Sequence, residues 1–93
     1  MSQTKTYRLT VSGRVQGVGY RYFVEDSAVF LGVKGFVRNM PDNKVEIVCQ
    51  GDEKSMEQFF TSVKKGPAFA RVDEIIKDRI SNDINYNSFE IKY

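Results

Sequence analysis

Residues 7–31 read YRLTVSGRVQGVGYRYFVEDSAVFL, and the spacing of their apolar side chains changes once, at a glycine-rich turn. From Tyr7 to Val11, apolar and polar residues alternate, which is typical of a strand with one buried face. From Tyr20 onward the apolar residues recur every three or four positions, which predicts a helix that ends at Gly32. The stretch therefore predicts a β-strand joined to an α-helix by a tight turn.

The rest of the chain repeats these two spacings in an order that defines the fold class. The further predicted elements are strands over 35–39 and 45–50, a helix between Asp52 and Gly66, and strands over 71–80 and 89–93, with a bulge near Ile75 and Ile76 and a short extra strand near 82–85. The order β-α-β-β-α-β predicts an α+β ferredoxin-like sandwich, in which two helices cover one face of an antiparallel sheet.

Length and charge limit the class of protein. The 93 residues carry 14 Lys or Arg and 12 Asp or Glu, for a net charge of +2. This length predicts a single domain over residues 1–93, and the balanced charge argues against a dedicated nucleic-acid binder. No apolar run is long enough for a membrane helix or an export signal. We therefore expect a cytoplasmic monomer with no nucleic-acid or membrane partner.

The composition also excludes several kinds of active site. The chain has no histidine, so it has no imidazole base and no Ser-His or Cys-His nucleophile pair. Its one cysteine, Cys49, rules out an intramolecular disulfide and a cysteine-rich zinc site. The chain lacks an acidic calcium-loop motif as well, so we expect no metal and no other cofactor. Catalysis would depend on basic, amide, carboxylate and hydroxyl side chains and on backbone N–H groups.

The turn over residues 13–21, GRVQGVGYR, is the first candidate site. Its three glycines allow backbone N–H groups to converge, and the following helix adds its free N–H groups and the positive end of its dipole. Arg21 lies in the first helical turn, where a cation opposes the dipole unless an anion binds between them. From these residues alone, an ordinary turn with a solvated arginine remains an alternative.

Asn39 is the second candidate, at the end of the predicted strand over 35–39. Its side-chain amide can donate and accept hydrogen bonds at the same time. Because Pro41 follows in a turn, a local hydrogen bond from Asn39 to its own backbone is the alternative interpretation.

These motifs resemble those of the acylphosphatase family over essentially the whole chain. The resemblance rests on Gly13-x-Val15-Gln16-Gly17-Val18-Gly19-Tyr20-Arg21, on Gly35-Phe36-Val37-Arg38-Asn39, on Gly66-Pro67 and on the ending Phe89-x-Ile91-x-Tyr93. One departure is Asn43, where the family usually has glycine; asparagine is the residue that best replaces glycine at a positive φ.

The resemblance implies a hydrolase that cleaves the carboxyl–phosphate bond of acylphosphates without a metal, releasing carboxylate and inorganic phosphate. It implies that Arg21 binds the phosphoryl group and that Asn39 positions the attacking water. The backbone amides expected to bind the phosphoryl oxygens are those of Val15, Gln16, Gly17, Val18, Gly19 and Tyr20. A carboxylate leaving group, with a conjugate-acid pKa of about 4, departs without protonation, which suits a chain that lacks histidine.

Three alternatives remain. The first is that Cys49 is the nucleophile. Because Cys49 alternates with core positions and is not followed by the Cys-x5-Arg loop of cysteine-dependent phosphatases, we expect a buried thiol instead. Lys34-Gly35-Phe36-Val37 matches part of an RNA-binding motif but lacks its later aromatic residues. A non-catalytic module that binds acyl- or carbamoyl-phosphate for a larger system is the third alternative.

Overall fold

Seven elements make up the fold in a computed structural model that describes residues 4–93. They are β1 (Lys5–Arg14), α1 (Tyr20–Leu31), β2 (Lys34–Asn39), β3 (Val45–Gly51), α2 (Glu53–Lys65), β4 (Arg71–Ile80) and β5 (Phe89–Lys92). The predicted β-α-β-β-α-β order is confirmed through β4, and the last strand predicted over 89–93 is confirmed as β5. The short strand predicted near 82–85 is wrong, because residues 81–88 form an irregular connection.

The five strands form one sheet in the order β4-β1-β3-β2-β5, and both helices pack on one of its faces. In this sheet β3 is central, and Ile47 on it lies between Leu9 of β1 and Val37 of β2. The alternating apolar residues of these strands meet buried residues of the helices, including Val24 and Phe59. The α+β ferredoxin-like sandwich is therefore confirmed.

One strand pair differs from the prediction of an antiparallel sheet: β5 pairs with β2 in parallel. The connection over 81–88 leaves β4 at one edge and crosses the sheet to the other, so β5 starts at the end where β2 also starts. The side chain of Gln50 holds this connection, donating to the Ile84 carbonyl at 2.7 Å and accepting from the Tyr86 N–H at 3.0 Å. Side-chain hydrogen bonds thus replace a strand ladder here.

The turn and cap residues form the predicted structures, but the bulge in β4 lies at a different position from the predicted one. Gly32 ends α1 in the left-handed conformation, and Asp52 caps α2 by accepting from the Ser55 N–H at 2.8 Å. Asn43 has φ 66°, as expected of a residue that replaces glycine. The bulge of β4 lies opposite residues 12–13 of β1, so it falls before the two isoleucines rather than at them.

Gly35→Ala is expected to lower the free energy of unfolding by about 3 kcal/mol or more. Overpacking against the neighbouring strand and the strain of a positive φ at an alanine both contribute to this loss. A Cβ at Gly35 would lie 1.9 Å from the Val48 carbonyl oxygen, with φ at 137°. Urea unfolding measures the loss. Gly51→Ala is the matched control, because its Cβ would meet nothing closer than Met56 Sδ at 3.4 Å. Equal stabilities of the two variants would contradict the close backbone approach.

Candidate active site

All the predicted site residues lie at one end of the three inner strands of the sheet, where β1 and β2 end and β3 begins. The loop over 15–19 follows β1 and leads directly into α1, while Asn39 is the last residue of β2. Asn39 pairs with Val45, and Val45 pairs on its other side with Val11 near the end of β1. Strand direction alone therefore places the loop and Asn39 at the same end of the sheet, with β3 between the strands that carry them.

The loop presents a series of backbone amides that bond to no other group among residues 4–93. Gly19 caps α1 with φ 78° in the left-handed region, and its position has no side-chain cap. The first helical hydrogen bond runs from the Phe23 N–H to the Gly19 carbonyl at 3.1 Å, and no backbone N–H of residues 16–22 donates to another group within residues 4–93. Such amides at a helix N-terminus form an anion-binding site.

The charge at this helix end also favours an anion. The first turn of α1 contains no acidic residue, although carboxylates are the side chains that normally stabilise a helix N-terminus. Arg21 lies there instead, so the first turn of α1 carries a cation beside the positive end of the helix dipole. A bound phosphoryl group would relieve this repulsion between like charges.

Buried side chains anchor the loop at both ends. Val15 and Tyr20 are each 1% exposed, and the Tyr20 hydroxyl donates to the Val63 carbonyl of α2 at 2.8 Å. Burial also raises the pKa of the Tyr20 phenol, which keeps this donor protonated. Val18 packs against the core, whereas Gly17 and Gly19 are exposed at the surface of the loop. The backbone is therefore held while its amides remain accessible.

The guanidinium of Arg21 is held by the last residues of the chain. Its Nη1 donates to the Lys92 carbonyl at 3.3 Å, and its Cζ lies 4.8 Å from the centroid of the Tyr93 ring. The Tyr93 and Tyr22 hydroxyls lie 3.4 Å apart, and this hydrogen bond raises the pKa of the Tyr93 phenol. The ring that stacks on Arg21 therefore remains neutral near pH 7.

The hydrogen bond from Arg21 to the Lys92 carbonyl also connects Arg21, through the strand pairing of β5 with β2, to the neighbourhood of Asn39. Lys92 of β5 pairs with Arg38 of β2, the residue that precedes Asn39. Asn39 is exposed, and none of the side-chain hydrogen bonds among residues 4–93 involves it. The self-bonded turn conformation considered from the sequence is therefore not formed, and the Asn39 amide is available to a ligand or a water molecule.

Gln16 has a contact that the sequence did not predict. Its Nε2 donates to the carbonyls of Met40 and Lys44, at 2.9 and 2.8 Å. Both acceptors lie in the hairpin turn between β2 and β3. We expected only the backbone amide of Gln16 to matter, because nothing in the local pattern indicates which distant turn a glutamine side chain reaches.

Cys49 lies in the core, as predicted. Its exposure is 0%, and burial raises the pKa of its thiol to about 12. The thiol donates weakly to the Tyr7 carbonyl, with Sγ and O 3.6 Å apart, near the start of β1 and away from the loop. A buried, protonated thiol at the opposite end of the sheet does not serve as a nucleophile at this site.

Cys49→Ala is therefore expected to keep kcat within about twofold of the wild type, because the thiol takes no part in the reaction. The substitution should lower the free energy of unfolding by about 1 kcal/mol, as expected for a small cavity in a packed core. Initial rates and urea unfolding on the same sample measure the two effects. A tenfold fall in kcat with little change in stability would contradict this assignment.

Together, the fold and the loop over 15–19 define a small α+β domain with an anion-binding loop at the start of its first helix. The family model for acylphosphatase matches residues 7–91. The acylphosphatase of Archaeoglobus fulgidus is 47% identical over 85 residues, covering 89% of this chain and 92% of that protein. The crystal structure of the Bacillus subtilis acylphosphatase superposes with a TM-score of 0.92 at 38% identity, covering 96% of this chain and 99% of that one. The chain therefore belongs to the acylphosphatase family.

A similar domain also occurs inside a much larger protein. The crystal structure of T.kodakarensis HypF matches 96% of this chain at 37% identity and a TM-score of 0.85, but only 12% of its own length is covered. Fold and identity to such a segment do not by themselves define an activity.

The relatives matched over nearly their full length decide the general activity. They are acylphosphatases, so this chain is an enzyme that hydrolyses acylphosphates, and its substrate is a small molecule. This favours the hydrolase over the RNA-binding alternative. None of the helices within residues 4–93 is long and apolar enough to cross a membrane.

Proposed function

We propose that this enzyme transfers the phosphoryl group of an acylphosphate directly to water, without a metal ion, at the site formed by the loop over 15–20, Arg21 and Asn39. The water oxygen forms a new bond to phosphorus while the bond from phosphorus to the acyl oxygen breaks. The bonding electron pair leaves with the carboxylate. The proton of the water passes to a phosphate oxygen or to solvent, and the products are carboxylate and inorganic phosphate.

One observation carries the proposal: the backbone N–H groups of residues 16–22 donate to no group among the described residues, and Arg21 lies within the same segment. Phosphoryl transfer depends mainly on positioning and on stabilising the charge of the three equatorial oxygens. Backbone amides without a partner can supply donors to the phosphoryl oxygens, and the guanidinium can contact two oxygens at once. The described groups thus match the charge that develops in the transition state.

Asn39 is assigned to the attacking water. An amide oxygen accepts a hydrogen bond from the water and orients a lone pair toward phosphorus, but it does not remove the proton. No general base is needed if the loose transition state carries most of its charge on the phosphoryl oxygens and the leaving group. No general acid is needed either, because the carboxylate leaves as an anion.

Loss of benzoyl phosphate, followed by ultraviolet absorbance with excess chelator, tests the proposal. We expect turnover to be unchanged by the chelator. Activity that disappears on chelation and returns with an added divalent metal would contradict the metal-independent mechanism. The other expectations, a cytoplasmic monomer with one domain over residues 1–93 and inorganic phosphate as a product ligand, stay predictions that sizing, localisation and product inhibition can check.

The non-catalytic module considered from the sequence is not favoured, because the relatives matched over nearly their full length are acylphosphatases, whereas HypF contains a similar domain only as a small part of a longer chain. Such a module would bind inorganic phosphate at the loop and show no turnover. The same assay, paired with a phosphate-binding measurement, separates it from the enzyme.

A further inference from the structure

We propose that the side chain of Gln16 is a positioning residue that fixes the distance between the phosphate-binding loop and Asn39. This inference rests on the proposed function and adds to it a residue that acts through another. The Gln16 side chain lies outside the surface that the loop amides form, because its amide group points into the hairpin turn over 40–44.

The contact joins one amide group to both sides of the hairpin. Nε2 of Gln16 uses its two hydrogens on the carbonyls of Met40 and Lys44, at 2.9 and 2.8 Å. The Lys44 carbonyl also accepts from the Met40 N–H at 2.8 Å, so Gln16 completes the bonding that closes the turn. Gln16 is half-buried, which makes these hydrogen bonds worth more than those of a solvated side chain.

The two acceptors directly flank the residue pair that carries Asn39. Met40 follows Asn39, and Lys44 precedes Val45, the partner of Asn39 across the β2–β3 ladder. Within residues 4–93, no other hydrogen bond joins the loop over 15–19 to the turn over 40–44. The strand ladder holds Asn39 on one side, and the Gln16 amide is the direct polar connection, among residues 4–93, between the loop and the turn that follows Asn39.

This arrangement separates two steps of the reaction. In the proposed mechanism phosphate binding depends on the loop amides and Arg21, and the loop has anchors apart from the hairpin in the buried side chains of Val15 and Tyr20. Attack by water depends on the position of Asn39, and a misplacement of about 1 Å can lower a rate by about 100-fold. Loss of the Gln16 contact should therefore lower kcat while leaving affinity for phosphate almost unchanged.

The test compares Gln16→Ala with Gln16→Met, which keeps the length of the side chain and removes both donors. Gln58→Ala, at an exposed position on α2, is the control. For both Gln16 variants we expect kcat with benzoyl phosphate to fall by about 10- to 100-fold and the inhibition constant of inorganic phosphate to stay within about threefold. If Gln16→Ala does not fold, Gln16→Met is used alone. An unchanged kcat, or equal losses in kcat and phosphate affinity, would overturn the inference.

A double-mutant cycle separates positioning from general structural damage. If Gln16 acts through Asn39, then Gln16→Met combined with Asn39→Ala should be no slower than Asn39→Ala alone. Two independent, multiplying losses would refute the coupling. Full activity of Asn39→Ala itself would refute the proposed function, whereas a slow Asn39→Ala beside a normal Gln16→Met would refute only the role of Gln16.

Discussion

Arg21→Gln is expected to lower kcat/KM for benzoyl phosphate by about 1,000-fold, the effect of removing an arginine from a phosphoryl-transfer site. Glutamine keeps part of the length and polarity of the side chain but loses the charge and the two-pronged guanidinium. The loss should appear both in kcat and in a weaker inhibition by inorganic phosphate, because the proposed mechanism has Arg21 contact the phosphoryl group before and during transfer.

Two variants make this result specific. Arg21→Lys keeps the charge without the planar guanidinium and should recover only part of the activity. Arg79→Gln removes an exposed arginine from β4 at a position paired with Tyr7, near the start of β1, and should leave activity unchanged. A folded Arg21→Gln enzyme with wild-type kcat/KM would show that the phosphoryl group binds elsewhere.

Asn39→Ala is expected to lower kcat by about 100- to 1,000-fold, comparable with the loss of one preorganised polar group from an active site. Inhibition by inorganic phosphate should change little, because the loop and Arg21 remain. The measurement is a pair of kinetic constants on one preparation, kcat with benzoyl phosphate and the inhibition constant of phosphate.

Asn87→Ala is the matched control for this prediction, because Asn87 is an exposed asparagine in the connection between β4 and β5. It should behave as the wild type. Should Asn39→Ala lose phosphate affinity and keep kcat, Asn39 would be a ligand of the phosphoryl group and the water would be oriented by another residue.

The local parts of the fold could be predicted from the sequence because their causes are local. Alternation over Tyr7–Val11 and helical spacing from Tyr20 reflect which side chains one element buries. Gly32 and Asp52 ended and started helices where expected, since a cap depends on the conformation of one residue.

The parallel pairing of β5 could not be predicted in the same way. It depends on the path of residues 81–88 across the sheet, and that path is held by hydrogen bonds to Gln50, which lies more than 30 positions away in the chain. An alternating pattern such as that of Phe89–Tyr93 indicates a strand but carries no information on its direction or its neighbour.

The candidate site divides along the same line. The loop, Arg21 and Asn39 could be proposed from residue type, spacing and family resemblance. The contacts of Arg21 with Lys92 and Tyr93, and of Gln16 with the hairpin turn, depend on which strand ends share an edge. These contacts join positions far apart in the sequence, so only the assembled sheet reveals them.

The most direct test of the mechanism is turnover of benzoyl phosphate in water enriched in oxygen-18, with excess chelator present and with the products analysed by mass spectrometry. Attack of water on phosphorus predicts one labelled oxygen in the inorganic phosphate and none in the benzoate. Label in the benzoate would mean that water attacks the acyl carbon, which would contradict phosphoryl transfer at the loop, Arg21 and Asn39.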